Sequence, residues 1–135
     1  MKARHVLISA ILAIFSSVAV AGFVQPVPVS VDFDNNIAQG DMFTARTASN
    51  DVEFIGCGIR HIDDGVNELL FGFCQASDAD ENRVVCFTQT ESLLETIRSS
   101  AAYSFITFSW VDDGIGDFEC TRVGFSNQSF YLPKK

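Results

Sequence analysis

His61 is the residue on which any histidine-dependent catalysis would have to depend. The chain contains two histidines, and His5 falls in a segment that we predict is removed on export. A Ser-His-Asp or Cys-His mechanism would therefore use His61, with Asp63 or Asp64 orienting its ring. The Gly-x-Ser-x-Gly sequence that surrounds the nucleophile of many hydrolases does not occur. We predict no catalytic residues and no enzyme activity, and we keep a small secreted hydrolase as a second alternative.

The acidic residues could instead act in pairs, as the two carboxylates of glycosidases do. They fall in clusters that coincide with predicted turns, at 32–34, 63–64, 78–81 and 112–117. Asp is common in turns because its side chain accepts hydrogen bonds from nearby backbone amides. The sequence therefore favours solvated acidic turns over a pair of catalytic carboxylates.

One acidic cluster partly matches a calcium-binding EF-hand loop. Asp78, Asp80 and Asn82 occupy the first three ligand positions of such a loop. Arg83 stands where the loop needs glycine, and Gln89 stands where it needs glutamate. Because both positions are decisive for the loop's geometry, we interpret this segment as an acidic turn.

The segment 112–117 is the predicted ligand-binding loop. Asp112, Asp113 and Asp117 lie within six residues that also include two glycines, whose backbone can turn carbonyl groups toward a cation. Trp110 is the only tryptophan, and it precedes the loop by two residues. Binding residues often occupy loops on a rigid β scaffold. We therefore predict ligand contacts at these four residues, with calcium as the candidate ion and no other cofactor.

The four cysteines are Cys57, Cys74, Cys86 and Cys120. Their even number and the lack of a close pair favour two disulfides over a four-thiolate zinc site. Cys57–Cys74 with Cys86–Cys120 agrees best with the predicted hairpin described below. Cys74–Cys86 with Cys57–Cys120 also satisfies the reach of a disulfide between neighbouring strands, so this second pairing remains open.

Residues 1–21 have the three-part layout of a secretory signal peptide. Lys2 and Arg4 make a basic start, 6–15 is an apolar stretch, and 18–21 supplies small residues at the cleavage site. Cleavage would leave 22–135 as a single β-rich exported domain, periplasmic or extracellular. Export would place the cysteines in an oxidising compartment, where disulfides form.

The composition excludes several classes of partner. The chain has 17 acidic and 9 basic residues, a net charge of −8, which is unsuited to binding the phosphates of nucleic acids. No apolar run after the signal is long enough to span a membrane. Thirteen phenylalanines indicate a folded core rather than a disordered chain.

The clearest predicted element is a hairpin formed by 52–62 and 67–76. A two-residue turn at Gly65 and Val66 would place Cys57 opposite Cys74, on a face of small apolar residues that should point into the core. On the opposite face Phe73 would lie over Gly58, a known way of covering bare backbone. Arg60 would lie over a phenylalanine ring on that face, opposite Phe71.

The remaining chain is predicted as short strands and one helix. The strands are an edge strand at 23–33 and further strands at 42–47, 83–87, 103–111 and 118–132. Thr88 and Glu91 match a capping box, which predicts a helix from Gln89 to Ser99 over a sheet face, with the face of Phe71 and Phe73 as a candidate seat. Phe105, Ile106 and Phe108 are the predicted core positions of a central strand.

These elements predict a mainly β fold. It is a single-domain antiparallel β sandwich or barrel with one short α-helix, stabilised by disulfides. The predicted function is that of a small acidic exported binding or interaction domain, whose partner is a protein or a small ligand that the sequence does not specify.

The first alternative is a structural subunit that self-associates by strand addition. The signal, the acidic β-rich chain and the alternating N-terminal segment are shared with pilus subunits assembled by donor-strand exchange. Tyr131 lies fifth from the end rather than next to last, and Gly124 and the four cysteines also depart from that pattern. The likeness is therefore an analogy and carries no residue roles.

Overall fold

The computed structural model describes residues 22–133, so the predicted signal peptide lies outside the described residues. Within them one mixed sheet of seven strands has the spatial order β1-β2-β6-β7-β5-β4-β3. The elements are β1 (Ser30–Asp32), β2 (Ile37–Asp41), α1 (Met42–Thr47), β3 (Phe54–Asp63), β4 (Glu68–Ser77), β5 (Arg83–Thr88), α2 (Glu91–Arg98), β6 (Phe105–Asp112) and β7 (Phe118–Ser126), followed by a 3-10 turn at Ser129–Tyr131.

The predicted mainly β class, with a short α-helix and two disulfides, is confirmed. Two details differ from the prediction. The sheet is not closed into a barrel, and it contains one parallel pair, β5 with β7, among antiparallel neighbours. A second, shorter helix, α1, is also present. No helix within residues 22–133 is long and apolar enough to cross a membrane.

The β3–β4 hairpin has the predicted register. Cys57 lies opposite Cys74, and Gly65 has the positive φ, 82°, that the turn requires. A Cβ atom built on Gly58 would lie 2.9 Å from Cζ of Phe73, so the ring covers this glycine as predicted. The Arg60 guanidinium lies 5.0 Å from the centre of the Phe73 ring, diagonally across the strands rather than over Phe71.

Both disulfides of the favoured pairing are present, and the described residues contain no free cysteine. Cys57–Cys74 joins the two strands of the hairpin. Cys86–Cys120 joins β5 to β7 beside the single backbone pair of this parallel step, Phe87 with Glu119. We call this step the seam, because it connects the half-sheet β1-β2-β6-β7 to the half-sheet β5-β4-β3.

The strand predicted at 103–111 is β6, which lies inside the sheet between β2 and β7, and its residues from Phe105 to Trp110 alternate between the two faces. Ile106, Phe108 and Trp110 are buried in the core. Phe105 points to the opposite side of the strand, is half-buried, and stacks on Tyr131 at 5.8 Å. The prediction of Phe105 as a core position alongside Ile106 is therefore wrong, because neighbouring residues of a strand face opposite ways.

The segment 42–47 is helical, not the predicted strand. The buried Asp41 carboxylate accepts a hydrogen bond from the Thr44 amide, at 2.7 Å, and so caps α1. Its second oxygen accepts from the Val27 amide, at 2.6 Å. This contact ties Val27 to the start of α1, and regular pairing of the edge strand predicted at 23–33 covers only Ser30–Asp32.

Asp78 connects β1, the edge strand at the other end of the sheet from β3, to the turn between β4 and β5. Its carboxylate accepts hydrogen bonds from the Val31 amide of β1 and from the amides of Asp80 and Asn82. Burial alone would raise the pKa of Asp78, but these hydrogen bonds and one from the Asn82 side chain outweigh it and lower the pKa below its usual value. The ionised side chain thus links β1 to the turn between β4 and β5.

Helix α2 differs from the prediction in its cap and in its position. Thr90 is the N-cap residue, and the Thr88 hydroxyl instead accepts from the Thr90 amide, so no capping box forms. The helix packs on the face of Gly72, where Ile97 Cδ1 lies 2.7 Å from the position that a Cβ would occupy. Glycine leaves space for the helix there, whereas phenylalanine rings fill the predicted seat, the face of Phe71 and Phe73.

We expect Gly72→Ala to lower the free energy of unfolding by about 1 kcal/mol, because the new methyl group displaces the ends of the buried Ile97 and Leu94 side chains. Gly56→Ala on the neighbouring strand is the matched control, since no atom lies within 4 Å of its added Cβ. Urea unfolding measures both. Ile97→Val should relieve part of the loss in the Gly72 variant, and an unaffected Gly72→Ala protein would contradict this packing.

We expect removal of the seam disulfide by Cys86→Ala with Cys120→Ala to cost about 3–4 kcal/mol. Amides of β3, β4 and β5 should then exchange hydrogen before those of β6, because a single backbone pair joins the half-sheets. Cys57→Ala with Cys74→Ala is the control, since a full ladder still joins β3 to β4. Identical exchange patterns in the two variants would contradict the role of the seam.

Candidate functional site

The side of β3, β4 and β5 that faces away from α2 carries an exposed apolar surface. We define this outer face by its large apolar side chains, which are Phe54, Ile62, Leu69, Phe71, Phe73, Val85 and Phe87. Leu69 is 42% exposed and Phe87 is 39% exposed. Phe71 and Phe87 pack edge to face at 6.0 Å, which fixes the two rings relative to each other.

A groove of about 450 Å³ lies where the outer face meets the β6–β7 loop. Its apolar lining comes from Leu69, Phe71, Phe87 and Phe118, and Thr88 and Gln89 add polar groups. Three carboxylates, those of Asp113, Asp117 and Glu119, complete the lining. We call this feature the acidic groove, because no lysine, arginine or histidine of residues 22–133 lines it.

The β6–β7 loop holds its shape through its own acidic side chains. Asp112 accepts a hydrogen bond from the Gly114 amide at 2.7 Å. Asp113 Oδ1 accepts from the amides of Ile115, at 2.9 Å, and Asp117, at 3.1 Å. Gly114 and Gly116 both have positive φ, which permits this tight path. Among the described residues, Asp113 Oδ2 and the Asp117 carboxylate have no hydrogen-bond donor, so they remain available to a ligand.

The structure separates the four predicted ligand residues. Asp113 and Asp117 line the acidic groove, whereas Asp112 is exposed outside it. Trp110 is only 2% exposed, and its ring packs against those of Phe33, Phe108 and Phe118. It therefore supports the base of the loop from within the core and presents no ring surface to a ligand.

His61 lies on the exposed end of the hairpin, away from the groove. Its Nε2 is 2.7 Å from Glu68 Oε1, not from the two aspartates considered as its orienting partners. Asp63 accepts from the Gly65 amide. The pKa of Asp64 is lowered chiefly by hydrogen bonds from the backbone amides of Asn67 and Val66. Both aspartates therefore close the turn.

Sequence reasoning missed the apolar part of the groove. The sequence does contain a sign of it, because β4 and β5 carry apolar residues on their outer face as well as on their inner face. The predicted seat of the helix on Phe71 and Phe73 implies a covered surface, so the prediction contains no exposed apolar face here. Glu119 was missed because a strand carboxylate gives no local sign that it will lie beside a distant loop.

Comparisons of the chain with protein-family models, with curated proteins and with solved structures gave no match. Within residues 22–133, no three His, Cys, Asp or Glu side chains are grouped so that they could hold a metal ion. The acidic groove can bind a ligand through its apolar lining together with its negatively charged carboxylates.

Calcium binding by the β6–β7 loop stays a prediction, and thermal unfolding measures it directly. Millimolar calcium chloride should raise the melting temperature, because the ion would bind only the folded loop. Asp113→Asn with Asp117→Asn should abolish the rise, while His61→Ala should preserve it. An unchanged wild-type melting curve would contradict calcium binding by these carboxylates.

Proposed function

We propose that the protein is an exported, non-enzymatic interaction domain that binds a partner protein through the outer face and the acidic groove. The observation that carries this proposal is the exposed apolar surface on three adjacent strands. Apolar surface of this kind is normally covered in a soluble protein by a helix, a second sheet or a partner. Here α2 packs on the other face of the sheet, around Gly72.

The charge of the chain indicates which kind of partner is favoured. With a net charge of −8, the protein repels nucleic acids and anionic membrane surfaces and attracts positively charged proteins. The groove adjoins the outer face, so one partner protein could contact the outer face and insert a side chain into the groove at the same time. Aromatic side chains are also enriched where proteins bind one another.

The two disulfides and the predicted signal peptide support export. Disulfides persist in oxidising compartments outside the cytosol. The choice between the periplasm and the extracellular medium is not part of the proposal. The non-enzymatic role is supported by the position of His61, the one histidine of the described residues, whose Nε2 pairs with Glu68 at the exposed end of the hairpin.

Selection from a displayed library of random 12-residue peptides tests the proposal. The disulfide-bonded protein should enrich peptides that no longer bind after Leu69→Ser with Phe87→Ser. Val66→Ser with Phe23→Ser is the control, because it removes two other exposed apolar side chains outside the groove. Failure to enrich any peptide, or equal binding to both double variants, would contradict the proposal.

A second candidate, self-association by strand addition, is favoured by the open edge of β3. Within the part of the chain that the structure describes, this ten-residue strand pairs only with β4. The Cys57 and Cys74 Cα atoms are 4.0 Å apart, which marks them as a non-hydrogen-bonded pair. By alternation the His61 amide also points away from β4 and toward the open edge. A strand from another molecule could pair there.

Light scattering during size-exclusion chromatography tests this second candidate. His61→Pro removes an outward amide and should abolish any oligomer without unfolding the hairpin, because proline is tolerated on such edges. Ile62→Pro is the contrasting variant, since it removes an amide that pairs with β4 and should destabilise the protein. A wild-type monomer at millimolar concentration would exclude self-association by this edge.

A further inference from the structure

We propose that the acidic groove recognises a lysine or arginine that lies next to an apolar side chain in the partner protein. This inference rests on the proposed function and adds the chemistry of the segment that is bound. Its basis is that the apolar lining and the uncompensated carboxylates occur side by side in one groove of about 450 Å³.

The apolar part of the groove provides the anchor. Leu69 and Phe87 are partly exposed, and the ring of Phe87 is restrained by its packing against Phe71. An aliphatic or aromatic side chain of the partner would remove this surface from water. Such anchors supply most of the energy of protein interfaces, while polar groups at the rim set orientation and specificity.

The carboxylates provide the selectivity. Asp113, Asp117 and Glu119 line one groove, and no salt bridge within residues 22–133 involves any of them. The backbone hydrogen bonds to Asp113 keep the loop in place before a ligand arrives. A cation would therefore meet fixed negative charge next to an apolar surface, without the cost of ordering the loop.

The rest of the outer face shows the same chemistry within this chain. Arg60 lies over the Phe73 ring at 5.0 Å, and Arg83 lies over the Phe54 ring at 5.9 Å. Phe71 and Phe87 have no such arginine among the described residues. The groove is thus the part of the outer face where aromatic rings and carboxylates lack a cation, and a partner can supply one.

Isothermal titration with three synthetic peptides tests the inference. The probes are Ala-Lys-Phe-Arg-Ala, its neutral form Ala-Gln-Phe-Gln-Ala, and Ala-Lys-Ser-Arg-Ala, which lacks the apolar anchor. The first should bind about tenfold more tightly than either of the others, and its affinity should fall as salt is added. Neutralising the rim by Asp113→Asn, Asp117→Asn and Glu119→Gln should remove the advantage of the cationic peptide.

A matched triple variant separates the groove from net charge. Asp34→Asn, Asp80→Asn and Glu81→Gln remove the same charge from exposed turns outside the groove and should leave binding unchanged. An equal loss in both triple variants would overturn the inference. Equal affinity for the cationic and neutral peptides would also overturn it. In that case, if Leu69→Ser with Phe87→Ser removed the binding of both peptides, the proposed function would still stand. If none of the three peptides binds, the inference fails, and the library selection separately decides the proposed function.

Discussion

The covalent link between Cys86 and Cys120 is the constraint on which the arrangement of the sheet depends. It lies one residue from the only backbone pair of the seam, Phe87 with Glu119. On one side are the strands that enclose Trp110 and Phe108, and on the other is the hairpin with its own disulfide. The link thus holds together two parts of the sheet whose backbones barely pair.

The seam also determines what lies beside the groove. Phe87 and Glu119, the paired residues, both line it, and the β6–β7 loop reaches the same place because β7 begins there. The helix that follows β5 turns to the opposite side, where Gly72 leaves space for Leu94 and Ile97. Gly72 therefore contributes to the packing of the helix on this face, while the outer face remains exposed.

The sequence was sufficient where the physical signal is local. The register of the hairpin followed from the turn at Gly65, and with it came the pairing of Cys57 with Cys74. Position 42–47 was mispredicted because its helix depends on the Asp41 cap, while the residues themselves are compatible with a strand. The burial of Trp110 follows from alternation along the strand, whereas the prediction placed it among the ligand residues because it precedes the loop by two residues.

The candidate site was less predictable because it depends on contacts between distant segments. Asp113 and Asp117 stood out through their spacing, but nothing near them indicates that Leu69 lies across the same groove. The parallel step at the seam could not be inferred either, since β5 and β7 are separated by α2 and β6 and share a single backbone pair. Local periodicity carries no information on such long-range pairing.

The unequal spacing of the cysteines has a consequence for oxidative folding. Cys57 and Cys74 are 17 residues apart and are brought together by a hairpin that forms locally. Cys86 and Cys120 are 34 residues apart, and they meet only after α2, β6 and the start of β7 have assembled. We therefore expect a one-disulfide intermediate with Cys86 and Cys120 still reduced. In that intermediate two thiols are open to mispairing or to a thiol oxidase, so the slow step of maturation would be closure of the seam.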